Sequence, residues 1–142
     1  MTVKRILVIA PHPDDETLGL GGTMAKLASQ GHEVNVLVVS GHLPPLYKRE
    51  DYERTVNEAN QAFKILGVSN SIFLELPPTT VSFVPVREIN DKIFQVVKKV
   101  RPSIVFCPYP DRHIDHRTVF DAVMVATRPV GLVGRDIANA QL

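Results

Sequence analysis

Two short polar clusters hold the residues whose types and spacing could do chemistry. The first is Pro11-His12-Pro13-Asp14-Asp15-Glu16, and the second is Asp111-Arg112-His113-Ile114-Asp115-His116. Neutral imidazoles and carboxylates are the donors that zinc and similar divalent ions take. Two histidines and one carboxylate leave a fourth position for water, which is how catalytic zinc sites are built. A further carboxylate can then act as general base, and a further histidine can support developing negative charge. His12, Asp14, Asp15, Glu16, His113, Asp115 and His116 supply more groups than that chemistry needs. Each cluster alone also has a plain structural reading. Acidic residues at the start of a helix cap it and favour its dipole, and a histidine after a strand is an ordinary loop residue. What favours a metal site is the two clusters meeting.

The elements around them make that meeting an expectation. Residues Arg5–Ala10 read as a strand with a continuous Ile-Leu-Val-Ile-Ala run, which suits burial on both faces. A helix follows over 18–30 with Gly31 as its C-cap, then a second, valine-dense strand over Glu33–Ser40. Gly41, Pro44 and Pro45 mark a loop. A polar-rich helix over 47–66 places Val56, Ala59, Phe63 and Leu66 on one face and ends at Gly67. The third strand spans 71–74, a loop runs from Pro77 to Pro85, and an amphipathic helix covers Val86–Val100. The fourth strand is 103–107 and a last helix covers 116–127; beyond Pro129 the pattern is lost, and Gly131, Gly134 and the closing residues 137–142 give only weak hints of a further element.

This alternation is the signature of a Rossmann-like, doubly wound α/β sandwich with a mostly parallel sheet and right-handed crossovers. With strand order 3-2-1-4 at the core, strands one and four are neighbours where the order reverses, and ligands bind beyond the carboxyl ends there. The two clusters follow those two strands.

Composition narrows the rest. A chain of 142 residues makes one domain. A formal net charge of +1, with no basic run longer than Lys98-Lys99, gives no reason to expect nucleic acid. One cysteine, Cys107, rules out an intrachain disulfide, and the residue reads as core. The amino terminus lacks the pattern of a signal peptide and no stretch has the roughly 18 apolar residues of a membrane span. A cytoplasmic protein is expected.

At the clusters a specific resemblance appears. Pro11 to Glu16, followed by Thr17-Leu18-Gly19-Leu20-Gly21-Gly22-Thr23, resembles the HPDDE signature of the LmbE-like deacetylases, also called the PIG-L family. His113-Ile114-Asp115-His116 resembles that family's HxDH motif. Arg54 and Glu58, with Leu66-Gly67, are similar to its Arg-x-x-x-Glu helix and Leu-Gly ending. The resemblance runs from about Lys4 to Val125. It implies a hydrolase that removes acetyl from an N-acetylglucosamine-type sugar, with zinc as cofactor and iron(II) as the alternative. By position, His12, Asp15 and His116 are the implied metal ligands. Asp14 is the implied base, also able to return a proton to the departing amine. A positive His113 is the implied oxyanion support, and Arg54 the implied substrate contact.

The chain also departs from the family's pattern. Leu76-Pro77-Pro78 stands where the family often has Leu-Pro-Asp, and Ser40-Gly41-His42 where it has Thr-Gly-Gly. His42 is read as a surface-loop residue. Relative to the family the domain, 1–142, is shortened at its carboxyl end, and an uncovered fourth strand would favour a homo-oligomer. Two other readings remain at this level. One is a non-catalytic metal-binding or assembly module. The other is a nucleotide-binding domain using magnesium, disfavoured because magnesium prefers oxygen ligands.

Overall fold

Apolar residues at alternate positions of the strands point to opposite faces, and helices cover both. The computed structural model describes residues 2–129 and 138–141. Its strands are β1 (Arg5–Ala10), β2 (Glu33–Ser40), β3 (Asn70–Leu76), β4 (Ile104–Cys107) and β5 (Ala138–Gln141). They form one sheet in the order β3-β2-β1-β4-β5, and every pairing is parallel. The helices are α1 (Asp15–Ser29), α2 (Arg49–Leu66), α3 (Val86–Val100) and α4 (Ile114–Ala126), with a single 3-10 turn at Val81–Phe83.

On one face Ile6, Val8, Val34, Val36 and Val38 pack with Leu20 and Met24 of α1 and with Ala59 and Phe63 of α2. On the other, Leu7, Ile9, Leu37 and Val39 pack with Ile89, Ile93 and Val97 of α3 and Val119 and Val123 of α4. Two-sided burial explains why β1 and β2 are apolar without alternation. Fully burying each such side chain stabilises the fold by about 1.5–3 kcal/mol. Among the described residues, no helix is long and apolar enough to cross a membrane.

The order 3-2-1-4 of the core is as expected, and the boundaries differ in instructive ways. α1 begins at Asp15 rather than Leu18, and α4 at Ile114 rather than His116, because both polar clusters are wound into the first turns of their helices. β3 is longer than 71–74 at both ends. The fifth strand falls where residue order hints only weakly at an element, since Ala-Asn-Ala-Gln has none of the β-branched or aromatic residues that mark strands. It pairs with β4 from Ile104↔Ala138 to Cys107↔Gln141, so the outer edge of β4 is covered. The fourth strand, expected to lie uncovered, is thus paired within the sheet. Gly131 and Gly134 lie outside the described residues.

Gly67 closes α2 in the left-handed region at φ 76°, its N–H donating to the Phe63 carbonyl. A Cβ there would stand 2.8 Å from Ala28 Cβ. Gly67→Ala is expected to cost at least about 1 kcal/mol, read as a lower denaturant midpoint at unchanged slope. Cys107 is fully buried on the α3–α4 face, and burial pushes its thiol up to about 11. Because the thiolate is the reactive form, a thiol reagent at mildly alkaline pH should label the native chain slowly and the unfolded chain at once. Fast labelling of the native chain would contradict the burial.

Candidate metal centre

β1 and β4 lie side by side in register, Ile6 against Ile104 and Val8 against Phe106. Their carboxyl ends therefore release the two polar clusters into the same space. The ring centroids of His12 and His113 are 4.8 Å apart, those of His113 and His116 4.9 Å, and those of His12 and His116 5.6 Å.

His12, Asp15 and His116 each present a ligand atom, all within 4.8 Å of one another. His12 Nδ1 is 3.3 Å and His116 Nε2 3.4 Å from the same oxygen, Asp15 Oδ2. The far nitrogens are held too: His12 Nε2 lies 2.8 Å from Asp115 Oδ2, and His116 Nδ1 lies 2.9 Å from Asp111 Oδ2. An ionised carboxylate only accepts, so the far nitrogens carry the hydrogens. With the hydrogens there, His12 Nδ1 and His116 Nε2 would present their lone pairs to a metal ion beside the Asp15 carboxylate, in the carboxylate–histidine–metal arrangement common to zinc sites. The donor set thus fits zinc. His12, His113 and Asp115 also cluster. In that set, however, Asp115 Oδ2 is engaged by His12 and by the Thr79 N–H at 2.7 Å, and the side chain is fully buried.

The electrostatics favour a cation at this point. Burial draws the His12 imidazolium down, but hydrogen bonds to Asp115 and Asp15, with their charges, outweigh it and hold the ring at about 9. Burial acts to raise Asp15 and Asp115, yet the bond to His12 and nearby ring charge leave both below the ordinary carboxylate value. The cage stabilises positive charge whether a proton or a metal ion brings it.

Asp14 stands beside the triad with φ 112°, a left-handed value that costs a non-glycine residue about 1–3 kcal/mol. Glu16 braces the turn: it is buried, its Oε2 accepts the Asp14 N–H at 3.2 Å, and its Oε1 accepts the Thr17 hydroxyl at 2.8 Å. Burial, then repulsion from Asp15, raises the Asp14 carboxyl above the usual range. His113 caps α4, its Nδ1 accepting the Asp115 N–H at 3.1 Å. This leaves Nε2–H as the ring's donor. The positive ring implied by the resemblance would set two N–H groups against each other at Nδ1.

A cleft of about 230 Å³ adjoins the triad, with His12, Asp14 and His113 on its lining together with His42, Tyr47 and Pro78. His42, expected on the surface, borders this cleft; its ring meets Tyr47 edge-on at 4.5 Å and its Nδ1 lies 3.3 Å from the Thr55 hydroxyl. Arg54 does not line the cleft. It is 67% exposed and donates to Asp51 at 2.9 Å. A larger cavity, about 550 Å³, opens at the amino-terminal strand ends near Arg5, Asn70 and Lys99, and holds none of the candidate residues. Sequence reasoning counted Asp111 and Asp115 within the second cluster without giving either a task, and gave no role to Tyr47. The first two had a usable signal: a histidine ligand calls for an acceptor at its far nitrogen, and acidic residues flank His116.

The family profile described as "PIG-L: GlcNAc-PI de-N-acetylase" matches residues 7–127. The diacetylchitobiose deacetylase of Thermococcus kodakarensis is 36% identical over 131 residues, covering 81% of this chain and 46% of that protein. The 1D-myo-inositol 2-acetamido-2-deoxy-alpha-D-glucopyranoside deacetylase of Kineococcus radiotolerans is 30% identical over 160 residues, covering 87% of this chain and 44% of that protein. Among solved structures, N,N'-diacetylchitobiose deacetylase from Pyrococcus horikoshii aligns with a TM-score of 0.77 at 28% identity, covering 89% of this chain and 52% of that one. The chain therefore spans about half the length of these relatives. Both histidine clusters fall within the matched residues, and the chain belongs to the PIG-L family.

Proposed function

We propose that the chain hydrolyses the acetamide of an N-acetylated, N-acetylglucosamine-type sugar, with zinc held by His12, Asp15 and His116. The observation that carries this reading is the convergence of three ligand atoms within 4.8 Å beside Asp14 at the edge of a cleft. The activities named for the relatives, deacetylases of acetamido sugars, support the substrate class.

When bound, zinc supplies a water nucleophilic at neutral pH and polarises the amide carbonyl. Asp14 takes the proton from the attacking water, helped by the environment that raises its affinity for one. It then delivers that proton to the nitrogen of the departing amine. His113 donates its Nε2–H to the amide oxygen as negative charge builds there, a contribution of about 3–4 kcal/mol at comparable sites. Asp15 and Asp115 hold His12 in place throughout.

Sugar recognition differs from the family's usual route, because Pro78 occupies the cleft wall where an aspartate often stands. His42 and Tyr47 are the groups at hand to contact the ring in its place. Arg54 stays in the proposal as a contact for substrate lying outside the cleft, released from a weak exposed pair with Asp51.

The deciding experiment titrates zinc into metal-free protein and follows acetate release from N-acetylglucosamine derivatives. Stoichiometric zinc with zinc-dependent release is expected; a chain that takes up no zinc would overturn the reading, and zinc without release would leave a metal-binding module. Asp14→Ala is expected to cut turnover by about 10²–10⁴-fold while zinc content stays at the wild-type level. His116→Ala should abolish zinc binding, and unchanged content would remove it from the ligand set. Asp14→Gly separates strain from chemistry: the variant should be inactive yet about 1 kcal/mol more stable by denaturant unfolding, since glycine adopts φ 112° freely.

A further inference from the structure

Asp111 has no part in the chemistry above, yet the two oxygens of its carboxylate engage two different site residues. Oδ1 accepts the His113 backbone N–H at 2.8 Å, and Oδ2 lies 2.9 Å from His116 Nδ1. Its carbonyl accepts from the Arg117 guanidinium at 2.9 Å, and the same nitrogen reaches the Arg112 carbonyl at 2.9 Å. The loop is thereby tied to the first turns of α4 at several points. A neutral imidazole has one N–H. With that hydrogen on Nδ1 facing a carboxylate, the lone pair is on Nε2, which faces Asp15. In water, without such a partner, the hydrogen of a neutral histidine resides mostly on Nε2, the nitrogen a metal would need bare.

We propose that Asp111 is a positioning residue that presets the His116 ring for a divalent cation, fixing its tautomer and orientation with one oxygen and the backbone of His113 with the other. The inference rests on His116 being a ligand. Asp115 plays the matching part for His12 from full burial, where its removal would also unseat the Thr79 N–H. Asp111 is 48% exposed, so its side chain can be removed without opening a hole in the core. That makes it the cleaner of the two to test.

Long-range ¹H–¹⁵N NMR on the metal-free wild-type chain, above the imidazole titration, is expected to show His116 with its hydrogen on Nδ1. In Asp111→Ala the hydrogen should move to Nε2, and the zinc Kd, measured by chelator competition, should weaken about 10–100-fold. Asp111→Asn keeps one accepting oxygen and should fall between. A residue that merely tied down the loop would lower thermal stability without moving the tautomer. That pattern, or zinc affinity within about two-fold of wild type, would overturn the proposal. If the wild-type chain binds no zinc, the ligand assignment falls instead. The tautomer comparison, which needs no metal, then decides Asp111's role on its own.

Discussion

The parallel pairing of β1 with β4 is the constraint on which the site depends. Residues about a hundred positions apart become neighbours because Ile6 to Val8 lie in register with Ile104 to Phe106. The sheet can hold that register firmly, since β1 from Ile6 to Ala10 is fully buried with helices on both faces. Sliding one strand by a single residue would exchange the faces of its apolar side chains. The core thus fixes the geometry of a polar centre at its edge. The same pairing places the start of α1 and the start of α4 at one sheet end, the customary ligand position of open α/β sheets.

Around that point, carboxylates and imidazoles are arranged so that each compensates another. Asp15 faces two rings, Asp115 receives the far nitrogen of His12 beneath it, and Asp111 receives that of His116 from the solvent side. Burying a charge such as Asp115 is costly unless it is paired and hydrogen-bonded. Here His12 and the Thr79 amide share one oxygen, while the other, Oδ1, has no partner among the described residues. Strain is concentrated nearby as well, in the positive φ of Asp14 within the first cluster and of Thr79 at the cleft wall. Such departures from the usual backbone regions cluster at functional sites.

Much of this was legible from residue order. β1 and β2 begin and end where their apolar runs do, because a strand covered on both sides announces itself by composition. The core strand order followed from the alternation of elements, and with it the meeting of the two clusters. The helix starts were less legible: residues that read as loop, Asp15 to Thr17 and Ile114 to Asp115, are wound into helical first turns, α4 capped by His113 Nδ1 and the α1 turn braced by the Glu16 carboxylate on the Asp14 N–H. β5 escaped because its hold on the sheet is made by backbone pairing, which four small and polar residues do not advertise. The roles of Asp111 and Asp115 escaped for another reason. Sequence names the donors to a metal more readily than the acceptors behind them, and His42 reached the cleft through a loop whose path no periodicity encodes.

One shared atom links parts of the chain that lie far apart in sequence. Asp115 Oδ2 takes both the far nitrogen of His12 and the amide of Thr79, the residue next to Pro78 on the cleft wall. A single hydrogen-bonded oxygen thus joins the loop after β3 to the orientation of the His12 ring, so the backbone of the cleft wall and the first polar cluster share one anchor.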